Sequence, residues 1–114
     1  MKPLLCMALG ALGCVGILVV VPSPAARAED AATEGREAFN QYCSHCHGPD
    51  AVQGERPRNL RRLTKRYGDD RHNVFRQTVN QGRPDKGMPA WEGIIDDATF
   101  DNIWAFLLTV QTND

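Results

Sequence analysis

"NQYCSHCHGPD", residues 40–50, places two cysteines and two histidines within five consecutive positions. Thiols and imidazoles are the side chains that take metals and redox groups most readily, so this stretch governs how the rest of the chain is read. Cys43 and Cys46 are three positions apart, which on a helix brings both sulfurs to one turn. His47 follows at once, and Gly48-Pro49 ends any helix that carries the three.

Upstream of the cluster, Thr33 can cap a helix in which Glu34 and Glu37 suit the positive end of the dipole. Ala38, Phe39 and Tyr42 fall on one side of it. This helix is expected to run from Thr33 into Cys43, with residues 29–33 as a frayed tail. Further back, residues 4–21 carry no charge, Lys2 precedes them, and Pro22, Ser23 and Pro24 break the run. Ala26-Arg27-Ala28 then supplies a small-x-small cleavage site, so residues 1–28 read as a secretory signal peptide cut after Ala28. The run also reaches the length of a membrane span, which leaves an uncleaved anchor as the alternative. A lipoprotein reading would use Cys14, but the apolar run continues past it.

Processing after Ala28 would remove Cys6 and Cys14 and leave Cys43 and Cys46 in a body of residues 29–114. Lys2 and Arg27 leave as well, so 11 of the 13 basic residues face all 14 acidic ones, a net charge of −3. That balance gives no footprint for nucleic acid. A body this small gains little from an apolar core alone, and a cofactor with a large apolar face would add to its stability.

Downstream, residues 50–57 carry the glycine, proline and polar residues of a loop, followed by a short helical turn around residues 59–65. Asp69 or Asp70 can cap a second helix with the stripe Val74, Phe75, Thr78, Val79, ending before Gly82. "GRPDKGMPAW", residues 82–91, has two glycines and two prolines in ten positions and cannot be a regular element. Asp96 or Asp97 then caps a third helix, with Phe100, Ile103, Trp104, Leu107 and Leu108 at amphipathic spacing. No convincing strand is present, so the body is expected to be three helices plus a short one.

Cys43-Ser44-His45-Cys46-His47 matches C-x-x-C-H, the pattern of covalent c-type haem attachment. Two thiols on one turn can reach the two vinyl groups of a porphyrin while the next imidazole meets the iron. Cys43 and Cys46 are then the thioether anchors and His47 the proximal ligand. Three plainer readings compete: a thiol-disulfide redox site, half of a zinc site, or a simple disulfide. Zinc lacks ligands, since only His72 lies beyond this segment, and a thioredoxin-like site calls for a βαβ setting. His45, an inner residue of the motif, and His72, near a helix start, are expected at the surface.

Met1 and Met7 belong to the leader, so Met88 is the one methionine of the body. It could be core filler. Yet Gly87 before it allows close backbone approach and Pro89 after it forces it extended, which suits a loop that offers a sulfur to the far side of the iron. Met88 is the expected distal ligand.

Gly35-x-x-x-Phe39 ahead of Cys43-Ser44-His45-Cys46-His47-Gly48-Pro49, then Met88-Pro89 and a last helix with Trp104, resemble the class I c-type cytochromes over essentially all of residues 29–114. The resemblance implies an all-α fold, three main helices plus a short one around one covalently attached haem c. It also implies packing of the first helix on the last, with Gly35 and Phe39 against Trp104 or Leu107. Residues 47–63, "HGPDAVQGERPRNLRRL", and residues 82–91 are similar to small periplasmic cytochromes that accept electrons from PQQ-dependent alcohol dehydrogenases.

An iron with both axial positions filled by protein offers no place for oxygen or peroxide, so the expected role is one-electron transfer without catalysis. The expected setting is the periplasm, as a monomer between a dehydrogenase donor and an oxidase or cytochrome acceptor. The alternative is a haem peroxidase or gas sensor with a labile Met88. Arg56, Arg58, Arg61, Arg62, Lys65 and Arg66 form a basic run opposed by Glu92, Asp96, Asp97 and Asp101. Such a run is either a solvated face or a steering patch for a redox partner, with Arg58, Arg61 and Trp91 as candidate propionate contacts.

Overall fold

The computed structural model describes Gly13, residues 15–53 and residues 58–114. Cys14, as a lipidation site, and Arg56, as a member of the basic run, lie outside the described residues. Among the described residues there are five α-helices and no strand: α1 Pro24–Tyr42, α2 Ser44–His47, α3 Leu63–Tyr67, α4 Arg71–Gln81 and α5 Asp97–Thr109. None of them is long and apolar enough to cross a membrane. Val15 and Ile17, Leu18, Val19, Val20 and Val21 are exposed.

The first helix starts well ahead of Thr33. Ser23 is its N-cap, with Oγ accepting from Ala26 N at 3.2 Å, and Pro24 occupies the first turn, where its missing N–H costs nothing. Thr33 is therefore a mid-helix residue whose hydroxyl donates to Glu29 O at 3.0 Å, and residues 29–33 are helical instead of frayed. Glu34, expected near the positive end of the dipole, instead accepts from Asn102 Nδ2 at 2.8 Å.

The core is made where α1 meets α5. Gly35 and Phe39 are the buried residues of α1; Phe100, Ile103, Phe106 and Leu107 are those of α5. Phe39, Ile103 and Leu107 are almost wholly buried, each contributing about 2 kcal/mol by area removed from water. Gly35 sits against the backbone of α5, where a Cβ would lie 1.8 Å from Asn102 O. The Phe39 ring meets Phe106, centroids 5.5 Å apart. Trp104 turns the other way, toward Phe75 at 5.1 Å and His72 at 5.0 Å on α4. The first helix thus meets Asn102, Ile103 and Phe106, and the tryptophan serves the α4 contact.

The remaining elements follow their local signals. Asp96 caps α5, its Oδ1 accepting from Thr99 N at 2.7 Å. Asp70 stands at the N-cap of α4 without a capping bond, its carboxylate taking Asn73 Nδ2 instead. Phe75 and Val79 are the buried part of the α4 stripe, and Gly82 ends it at φ 67°. Asn59 caps the short turn Leu60–Arg62 ahead of α3. Beyond α5, Gln111 accepts from Thr64 N and donates to Leu60 O and Leu107 O, and Thr112 N donates to Arg61 O at 2.7 Å. The C-terminal tail thereby ties residues 60–64 to α5.

Candidate haem site

Cys43 closes α1, its N–H donating to Phe39 O at 2.8 Å, and opens α2. Cys43, Cys46 and His47 lie on the single turn that follows, with His47 N donating to Cys43 O at 3.0 Å. Burial against the core, with the nearby Cys46 adding to it, pushes the Cys43 thiol up to about 11. Cys46 is exposed, as are His45 and His72. The turn ends at Gly48, whose φ of 78° favours glycine and where a Cβ would meet Val52 O at 2.1 Å.

His47 Nδ1 lies 2.8 Å from Arg58 O. A carbonyl only accepts, so Nδ1 carries the proton and Nε2 keeps its lone pair for a metal.

Asp50 stands just beyond the motif and is bonded through every polar atom it has. Arg36 Nε and Nη2 reach its two carboxylate oxygens at 2.7 and 2.8 Å, and Asn40 Nδ2 reaches Oδ1 at 2.8 Å. Its N–H donates to Asn40 Oδ1, and its carbonyl accepts from Arg61 Nη2 at 2.8 Å. Hydrogen bonds from Arg36 and Asn40 hold its carboxyl well below the usual carboxylate range.

Met88 lies in the loop after α4. Arg83 N donates to Met88 O at 2.8 Å and Met88 N to Arg83 O at 3.0 Å, while Trp91 N donates to Val79 O at 2.9 Å. The close backbone approach belongs to Gly82, where a Cβ would lie 2.7 Å from Met88 O, and not to Gly87, which serves the turn through its φ of 81°. Met88 is half-buried and packs on the same core cluster as Cys43, Leu60, Tyr67, Trp91 and Trp104. A set of partly covered apolar side chains flanked by two thiols and an imidazole with a free nitrogen fits a large apolar macrocycle with a ligated centre. Cys43, Cys46 and His47 are brought together on one turn; Met88 comes from a separate, pinned loop.

The charged run is partly internal. Arg61 serves Asp50, Lys65 Nζ donates to Asn113 O at 3.3 Å, and the Arg66 guanidinium lies 5.8 Å from the Tyr67 ring centroid. On the acidic side Asp96 is a cap and Asp97 pairs with Arg76. Trp91, a candidate propionate contact, stands edge-on to Tyr42, centroids 5.9 Å apart. Arg36, Asn40, Asp50 and the Arg58 carbonyl were not anticipated as parts of the site. The Gly-Pro-Asp turn could have pointed to Asp50, whereas a backbone acceptor leaves no residue signature.

The family described as "Cytochrome C oxidase, cbb3-type, subunit III" matches residues 30–107. Quinohemoprotein alcohol dehydrogenase ADH-IIG of Pseudomonas putida is 33% identical over 89 residues, 76% of this chain and 12% of that protein. The Cbb3-type cytochrome c oxidase subunit FixP of Bradyrhizobium diazoefficiens is 37% identical over 79 residues, 67% of this chain and 26% of that protein. Quinohemoprotein alcohol dehydrogenase ADH IIB of Pseudomonas putida is 27% identical over 96 residues, 82% and 13% respectively. The chain thus spans between 12 and 26% of the length of these curated relatives. No solved structure matches it. With the C-x-x-C-H turn in place, and with the match running from the middle of α1 to the end of the α5 core, this chain belongs to the cbb3-type subunit III family of c-type cytochrome domains, electron carriers with covalently bound haem c.

Proposed function

We propose that this protein is an exported one-electron carrier whose haem is anchored by Cys43 and Cys46 and ligated by His47 Nε2 and Met88. The haem supplies the electron-accepting centre; the chain supplies its attachment, its axial ligands and its surroundings. The observation that carries the reading is the 2.8 Å contact of His47 Nδ1 with Arg58 O, which orients the ring and leaves Nε2 available to a metal. The two mutual bonds of Arg83 and Met88 give the thioether loop a fixed shape for the opposite side. A thioether opposite an imidazole raises the potential and suits an acceptor of electrons from a dehydrogenase. The quinohemoprotein relatives favour a quinoprotein alcohol dehydrogenase as donor, and the oxidase subunit favours delivery to a terminal oxidase or another cytochrome.

Absorption spectra of the oxidised wild type and Met88→Ala test the ligand set. The wild type should show the long-wavelength sulfur-to-iron band and the variant should lose it. A wild type without that band would overturn Met88 as ligand. Export is the second part of the reading. Residues 1–28 act as a signal peptide, and processing after Ala28 would shorten α1 while keeping Gly35 and Phe39 in place. An intact mass of the exported protein that begins at Glu29 is expected, and one that retains Met1 would favour an anchor.

A further inference from the structure

Asp50 and Ala51 are consecutive non-glycine residues in the left-handed region, at φ 55° and 61°, and Ala51 is fully buried. Such a turn persists only where its surroundings over-determine it. Arg36 and Asn40 hold the Asp50 side chain and N–H from α1, and Arg61 holds its carbonyl from the far side. Arg61 is fixed in turn, its N–H by Asn59 Oδ1 at 3.0 Å and its carbonyl by Thr112 N. Its Nε is buried with no hydrogen-bond partner among the described residues, a cost that the bond to Asp50 must offset. Three positions before Arg61 is Arg58, whose carbonyl accepts from His47 Nδ1.

We infer that Arg61 is a positioning residue for His47: its bond to Asp50 O locks the turn at residues 59–61 to the end of the haem motif, and so fixes the Arg58 carbonyl on the imidazole. The inference rests on His47 being the proximal ligand. A carbonyl held firmly on the Nδ1 proton makes Nε2 a stronger donor and favours the oxidised centre. Loosening it favours the reduced centre and raises the potential. Loss of a neighbouring positive charge acts in the opposite sense, because a cation favours the less positive, reduced centre. The two effects are therefore separable by sign.

The test is spectroelectrochemical titration of the full haem-loaded protein as wild type, Arg61→Ala, Arg61→Met, Arg61→Lys and Arg62→Ala, with hydrogen exchange of the His47 Nδ1 proton followed by NMR in the ferrous state. Arg61→Ala and Arg61→Met should raise the reduced-to-oxidised ratio at fixed applied potential several-fold, up to about tenfold, or about 59 mV for a one-electron couple. Both should speed exchange of the Nδ1 proton. Arg61→Lys, still a donor, should stay near wild type, and Arg62→Ala, which removes one charge from the same turn, should lower the potential or leave it. Arg61→Met keeps the aliphatic stem and serves if Arg61→Ala does not accumulate. A fall in potential in the Arg61→Met variant, or no change in potential and exchange, would overturn the inference. A wild-type spectrum without histidine-ligated haem would instead overturn the ligand reading, and is seen before any variant is made.

Discussion

A methyl group on Gly35 would lie 1.8 Å from the Asn102 carbonyl oxygen and 2.8 Å from Ile103 N, so α1 and α5 touch backbone to backbone at this point. Neither atom belongs to a flexible side chain, so neither can swing aside. Gly35→Ala must push the two helices apart and open the Phe39–Phe106 contact next to it. Thermal unfolding should report a loss of about 3 kcal/mol or more, the upper range for overpacking. A loss below about 1 kcal/mol would mean that the helices can slide past each other.

Asp50 makes stability depend on pH in a stated direction. Its folded carboxyl titrates well below the unfolded value, so its contribution is present above the unfolded range near pH 4 and is lost as pH falls toward the folded value. Asp50→Asn keeps a residue that tolerates the left-handed conformation but gives up the ionic bond to Arg36. The difference in melting temperature between wild type and Asp50→Asn should be largest near pH 7 and shrink steadily below pH 4. A difference that stays constant to pH 2 would contradict it.

Before haem attachment the two thiols should differ in reactivity. Thiolate is the reacting form, and burial keeps Cys43 protonated at neutral pH while Cys46 is exposed. Brief treatment of the reduced apoprotein with iodoacetamide at pH 8 should label Cys46 first, by at least about tenfold in peptide mass spectra. Equal labelling would show that the α1–α2 junction opens readily without haem.

Gln111 joins three segments through both of its amide atoms. Gln111→Leu leaves Thr64 N and the Leu60 carbonyl to find other partners in a half-buried place, while the Leu107 carbonyl keeps the Val110 N–H. The expected cost is about 2 kcal/mol, measured by denaturant unfolding. The slope of that transition should be unchanged if only stability, and not compactness, has altered.

The haem turn was legible because its chemistry requires fixed residue types at fixed spacing, and the helix ends because Gly82 and Asp96 mark them. Elsewhere the fold departs from the pattern. Ser23 is an N-cap followed by a first-turn proline, whereas the cap and stripe pattern alone starts α1 at Thr33. Leu108, placed on the buried stripe of α5, is exposed, and Phe106, left off it, is buried against Phe39. The reason is that α5 is covered from two sides, by α1 through Phe106 and by α4 through Trp104, which widens its apolar face beyond one stripe. Arg58 acts through a main-chain oxygen, which every residue possesses, so no periodicity or motif could have singled it out, whereas the Gly-Pro-Asp turn is the one local signal for Asp50.

Ala32 and Thr33 of α1 and Thr109 and Val110 at the close of α5 line one shallow cleft of about 360 Å³. Asp50 and Arg61 line the same cleft, so the contact of the first and last helices adjoins the bond that joins the end of the haem motif to residues 59–61. A unit whose first and last helices close on each other carries its own core, which accords with a matched span that forms only a fraction of each longer relative.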